Sequence, residues 1–176
     1  VKKGNMKAIS EKRNFNNKTV TFIWHPAKQL DLPVWQVYVF CVAKDNKVIL
    51  VRDKGENRFT LPGGRTKARE KAKETAKRET KKEAQIKLKN LFLLGSLEVI
   101  SPNEKNEIQR HHQQVRFVSR VQADNQFVPG KNGSKAEERI LIEVGKLPNY
   151  LSWLKYPTGK AQYRAFLRHI KKVNTI

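Results

Sequence analysis

A chain of 176 residues, 38% of them hydrophobic and 30% charged, is long enough to bury one real core and suits a single domain. Its 37 Lys and Arg outnumber 16 Asp and Glu, a formal charge of +21 that points to polyanionic partners such as nucleotides, RNA or DNA. A single cysteine, Cys41, excludes a disulfide framework; no run approaches the ~18 apolar residues of a membrane span, and a soluble, cytoplasmic protein is expected.

Residues 1–18 are polar and basic, and read as a flexible N-terminal arm ahead of one domain over 19–176. Residues 19–24 form a short strand candidate stopped by His25-Pro26. The run from Val34 to Val42 is β-branched and aromatic, apolar at odd and even positions alike, and reads as a central strand buried on both faces. Cys41 within it is expected to be a buried thiol, not a nucleophile. Asp45-Asn46 turns the chain into residues 47–52, the hairpin partner. Residues 58–61 form a short strand that delivers a Gly63-Gly64 turn, and a helix runs from about 70 to 84. Strands are expected at 91–100, 114–121 and 139–144, then a helical turn after Pro148. An amphipathic helix over about 158–172 closes the chain. This order implies an α/β fold, an α/β/α sandwich with a mixed central β-sheet.

The chemistry concentrates between Gly63 and Ile86. Tandem glycines permit close approach of a ligand to backbone. At ~100° per residue, positions 72, 76, 79 and 83 share about a 60° arc of the helix. Ala72 and Ala76 leave room there, while Glu79 and Glu83 project carboxylates from adjacent turns. Two such groups can share a hard cation that keeps sites open for substrate phosphate. The same spacing also suits a surface helix with Glu–Lys pairs.

Leu61-Pro62-Gly63-Gly64, Glu70, Arg78-Glu79, Glu83 and Ile86 resemble the signature of the Nudix hydrolases. In that signature five residues lie between Gly and Glu, and seven more between that Glu and Arg-Glu. The likeness extends over roughly residues 34–170. The resemblance implies a Nudix-type fold and hydrolysis of a nucleoside diphosphate linked to another moiety, such as a nucleotide sugar, with Mg²⁺ or Mn²⁺. Carried over by position, Glu79 and Glu83 would be metal ligands, and Glu79 would also orient or deprotonate the attacking water. Arg78 would hold the carboxylates, Glu70 would support the loop and the metal shell, and Gly64 would offer its carbonyl.

Three positions depart from the pattern. Lys82 stands where the family has the first Glu of a Glu-Glu pair, Gln85 where it has a helix-ending glycine, and Thr80 where it has an aliphatic residue. An ammonium among the ligands predicts weakened metal affinity and turnover, unless Glu98, Glu137, Glu138 or Glu143 joins the site. Alternatively Lys82 binds phosphate directly, with Arg65, Lys67 and Arg69, and the fold serves as an inactive module for RNA or DNA. The N-terminal arm, the basic helix face and Arg164, Arg168, Lys171 and Lys172 would add phosphate contacts. Trp24, Trp35, Tyr156 and Tyr163 are aromatics able to stack on a base, with burial expected for both tryptophans. His111-His112 in a strand would point to opposite faces, poor geometry for a shared metal.

Overall fold

The computed structural model describes residues 7–15, 17–103, 105 and 107–174. Its centre is β3, Val34–Val42, and the alternation along it sets the layers. Val37, Val39 and Cys41 face one core with Ala72 and Ala76 of α1, Ala72–Glu83. Phe40 and Val42 face a second core with Ala161, Ala165 and Phe166 of α3, Pro157–Asn174, where Phe40 and Phe166 stack at 4.3 Å. Cys41 is fully buried, and burial pushes its thiol pKa up, in keeping with a packing role.

The other strands are β1 (Ile9–Phe15), β2 (Lys18–Pro26), β4 (Lys47–Asp53), β5 (Gly63–Arg65), β6 (Ile86–Leu88), β7 (Phe92–Pro102), β8 (Ile108–Asp124) and β9 (Ala136–Glu143). The main sheet runs β1-β2-β7-β8-β3-β4-β9, with β5 on β3 and β6 on β8. Among the described residues only β3 and β8 pair in parallel, from Val34↔Gln113 to Val42↔Arg120, so the sheet is mixed as expected. A short helix α2, Leu147–Tyr150, precedes α3. No helix among the described residues is long and apolar enough to cross a membrane.

Four expectations need correction. Residues 9–15 of the supposed arm form β1, paired with β2 from Ile9↔Trp24 to Phe15↔Lys18; residues 1–6 lie outside the described set. Within residues 58–61 only Thr60 bridges, to Val51, and the glycines themselves are the strand, Gly63 opposite Tyr38 and Gly64 opposite Val37. β6 has no counterpart among the expected strands. Trp24 is buried, but Trp35 is 41% exposed, because the β3–β8 register slips between Val34 and Gln36 and frees its side chain from the core.

Gly95 in β7 has a φ of +149°, and a Cβ there would lie 2.3 Å from the His25 carbonyl and 2.7 Å from the Trp24 ring. Backbone cannot give way as a side chain can. Gly95→Ala is expected to cost roughly 3 kcal/mol and lower Tm by about 5–10 °C in a thermal melt.

Candidate active site

Helix α1 begins where the Glu74 carboxylate accepts the Lys71 backbone N–H at 2.9 Å, a reach-back bond that satisfies an otherwise open donor. Its buried face is Ala72, Thr75, Ala76, Glu79 and Thr80, spaced for one stripe. Thr80, in place of an aliphatic residue, is fully buried and donates its hydroxyl to the Ala76 carbonyl at 2.8 Å. The helix ends at Ala84, and Gln85 takes a left-handed φ of +55°. Glycine would hold that conformation without strain, whereas Gln85 has a tertiary anchor. Its buried amide donates to the Val128 carbonyl at 2.6 Å and accepts the Val128 N–H at 3.1 Å.

The stripe brings Glu79 and Glu83 onto β5. Glu79 is buried against Gly64, where an added Cβ would stand 2.8 Å from its carboxyl carbon. Glu83 accepts the Gly63 backbone N–H at 3.0 Å. Gly64 lets Glu79 approach this closely, while Gly63 lets β5 lie against Val37 and Tyr38 of β3. A Gly64→Ala methyl meets the Glu79 side chain, not backbone. The fold should survive with a stability change below ~1 kcal/mol, while displacement of the carboxylate should lower turnover about 100-fold. Parallel melting and product-release measurements check both halves.

Arg78 organises the approach. Its Nε donates to Glu70 Oε1 at 2.6 Å, its Nη2 to Glu70 Oε2 at 2.7 Å and to the Arg65 carbonyl at 3.0 Å, and its Nη1 to Glu79 Oε1. Glu70 Oε2 also accepts from the Lys67 N–H at 3.0 Å and the Thr75 hydroxyl at 2.8 Å. Bonding to Arg78 holds the Glu70 carboxyl at about 2, well below its ordinary range. Glu70 therefore locks the loop between β5 and α1.

Burial, reinforced by the charges of Glu79 and Asp53, raises the Glu83 carboxyl to about 7. The Gly63 N–H and, more weakly, Lys82 act in the opposite sense. Lys82 makes no ion pair with a described carboxylate, and the partner of Glu79 is Arg78. Asp53, at the end of β4, is the acid that spacing did not reveal; its charge acts on Glu83 in the same sense as that of Glu79.

The four later glutamates are all committed elsewhere. Glu98 accepts from His25 and His111, each at 2.7 Å. Glu138 pairs with Arg52 at 2.7 Å, Glu137 lies 3.6 Å from the same guanidinium, and Glu143 pairs with Lys146 at 3.0 Å. Arg65 lies over the Trp35 ring, 5.0 Å to its centroid, and His112 stands 5.8 Å from the same ring. Lys67 and Arg69 sit in the loop that Glu70 locks, Arg69 with a φ of +64°. Arg65, Lys67 and Arg69 thus line the loop ahead of α1, while Lys82 sits in its last turn.

Among the described residues no cluster of three or more His, Cys, Asp or Glu side chains could hold a metal. The site fits a cation in a narrower way. Mg²⁺ needs only one or two carboxylates when substrate phosphate supplies further oxygens, and the crowded negative charge around Glu83 is the environment a cation relieves. Glu79 and Glu83, with the Gly64 carbonyl, would hold it.

A glycine strand thus lies under a helix that presents two carboxylates and an Arg–Glu clamp, in a mixed sheet between helices. The NUDIX domain family matches residues 32–165, and this chain belongs to that family. Solved structures share the fold. The pyrophosphohydrolase BsRppH of Bacillus subtilis is similar at 18% identity and a TM-score of 0.67, covering 93% of this chain and 98% of its own. A UDP-X diphosphatase gives 21% identity, a TM-score of 0.53 and coverage of 82% and 68%. An Ap4A hydrolase of C. elegans gives 15%, 0.55, and coverage of 78% and 98%. No curated protein matches the chain significantly. Nudix hydrolases generally use divalent metals such as Mg²⁺ or Mn²⁺.

Proposed function

We propose that this chain is a Nudix hydrolase acting on nucleoside diphosphate derivatives, its turnover weakened by Lys82. The observation that carries this reading is the convergence of Glu79 and Glu83 on Gly63 and Gly64, with Arg78 clamping Glu79 to Glu70. In this reading Glu79 takes the proton of the attacking water, since it lies on the open glycine strand with its carboxylate held by Arg78. Glu83 anchors the helix to the Gly63 amide. A divalent cation, when bound, supplies charge stabilisation to the phosphates. The solved relatives named for pyrophosphohydrolase, UDP-X diphosphatase and Ap4A hydrolase activity support a substrate with a diphosphate linkage. Phosphate release over a panel of nucleoside diphosphate derivatives tests it. Slow, Mg²⁺- or Mn²⁺-dependent release is expected, and none from any substrate, even with Lys82 replaced, would overturn it.

A second reading, a non-catalytic module for RNA or DNA, is favoured by one observation. Lys77, Lys81, Lys87 and Lys89 line a groove beside α1 and β6, on a chain of charge +21. Polynucleotide affinity should then fall at least tenfold between 50 and 200 mM salt in a filter-binding titration, numbers typical of several phosphate contacts. Binding insensitive to salt would remove this reading.

A further inference from the structure

Helix α1 turns two chemistries to opposite sides. At ~100° per residue Glu79 lies about 160° round the helix from both Lys77 and Lys81, so its carboxylate faces the glycine strand and the lysines face away. On the lysine side, between α1 and β6, runs a groove of about 680 Å³. Lys77 and Lys81 line it from the helix, Lys87 from β6 and Lys89 from the residue just after that strand. The chain passes from the helix to the strand through the buried Ala84 and Gln85, and the two bonds between the Gln85 amide and Val128 fix that corner.

None of these four lysines makes an ion pair with a described residue. The acids of α1 are bound elsewhere: Glu74 to the Lys71 N–H, Glu79 to Arg78 and Glu83 to the Gly63 N–H. Asp124, between the groove residues Ala123 and Asn125, pairs with Arg139 at 2.8 Å. Lys73 is exposed and extends the helical row by one more turn. Like charges four residues apart repel, and a lysine in the first turn opposes the helix dipole. The row therefore works against the helix that carries it, and a polyanion laid along it relieves the repulsion.

Spacing and lining select among polyanions. Lys77 and Lys81 stand about 6 Å apart along the helix axis. Lys87 and Lys89 stand about 6–7 Å apart along extended chain. Neighbouring phosphates of an extended nucleic-acid strand are separated by a step of this size, whereas those of an inorganic phosphate chain share one bridging oxygen and lie much closer. Among the described residues that line the groove there is no aromatic ring to stack on a base and no arginine to read one bidentately. Lysine meets phosphate as a point charge, and the side-chain amides of Gln122 and Asn125 add donors. We infer, on the nucleic-acid reading above and dependent on it, that this groove seats the sugar–phosphate backbone of a single-stranded nucleic acid irrespective of its bases, on the side of α1 away from the glycine strand. A single strand bends into a groove between two rows of lysines, and a duplex is too stiff to follow it. Such binding needs no loss of hydrolysis, because the carboxylates and the lysines occupy different faces of one helix.

Fluorescence anisotropy of labelled twelve-nucleotide oligo(U), oligo(A) and oligo(dT) on the full chain tests this. The three should bind within threefold of one another. Lys77→Gln, Lys81→Gln, Lys87→Gln and Lys89→Gln together should weaken oligo(U) at least tenfold at about 100 mM salt and lower the slope of log affinity against log salt by about 3, four contacts at ~0.7 each. Lys28→Gln, Lys44→Gln, Lys155→Gln and Lys160→Gln together remove the same charge from exposed positions outside the groove and should weaken it less than threefold. Gln keeps the helix propensity of Lys, and thermal melts within a few degrees of the wild type verify the fold. A saturating nucleoside diphosphate should leave oligo(U) affinity within twofold. Equal weakening by the two fourfold variants overturns the inference and leaves the nucleic-acid reading standing, while a wild type that binds no oligonucleotide removes both. Tighter binding of a duplex of the same length, or of phosphatidylserine vesicles with the same dependence on these lysines, also overturns it, and the comparison with duplex stands on the wild type alone.

Discussion

Lys82→Glu is expected to tighten Mg²⁺ in the presence of a nucleoside diphosphate by about two orders of magnitude and to raise hydrolysis in step. A unit charge about 6 Å from a divalent ion, at an effective dielectric near 20, repels it by roughly 5 kcal/mol. Restoring a carboxylate adds attraction of similar size. Lys82 is partly solvated and its stem is flexible, so screening reduces the difference to about 3 kcal/mol, or roughly 100-fold. The structure sharpens this expectation, because Glu79 is held by Arg78 and does not neutralise Lys82. The later glutamates have other partners, His25, His111, Arg52 and Lys146. The same ammonium is one of the influences that lower the Glu83 pKa, so its loss should also raise the proton affinity of Glu83 in metal-free buffer.

The second large effect belongs to Glu83 itself. Its folded pKa of about 7 lies above its ordinary value of 4.5, so between those limits the folded state binds more protons than the unfolded chain. The associated stability is fully present below about pH 4.5 and is lost as pH rises through about 7. At 1.36 kcal/mol per pKa unit the loss is at most about 3 kcal/mol. Glu83→Gln stays neutral and keeps an acceptor for the Gly63 N–H. In metal-free buffer it should match the wild type near pH 5 and exceed it by roughly 2 kcal/mol at pH 8, a Tm gain of about 4–8 °C. It should also lose hydrolysis. Denaturant titrations at the two pH values decide the matter, and an equal gap at both would show that Glu83 is not protonated in the fold.

Much of the scaffold was legible because its signals are local. The run of β3, apolar on both faces but for Gln36, read as a strand covered on both faces, and α1 announced itself through Ala72, Ala76, Glu79 and Glu83 on one arc. β1 was missed because Ser10, Lys12 and Asn14 give a solvated, basic strand no apolar signature, while Glu11 meets Thr158, and Arg13 the rings of Phe22 and Tyr156, only in tertiary structure. The exposure of Trp35 depends on a one-residue slip against β8, which no property of an aromatic residue encodes. The capture of Glu98 by two histidines likewise arises from strand register, and the influence of Asp53 on Glu83 from tertiary structure. The resemblance implied that Arg78 holds carboxylates and Glu70 supports the loop, but nothing in the sequence pointed to the Gly63 amide as the partner of Glu83.

Calorimetric titration of Mn²⁺ into the wild type and Lys82→Glu, each saturated with a non-hydrolysable nucleoside diphosphate analogue, tests the central claim most directly. Binding about 100-fold tighter in the variant is the predicted outcome. Wild-type protein that holds Mn²⁺ as tightly as the variant, or more tightly, would contradict it.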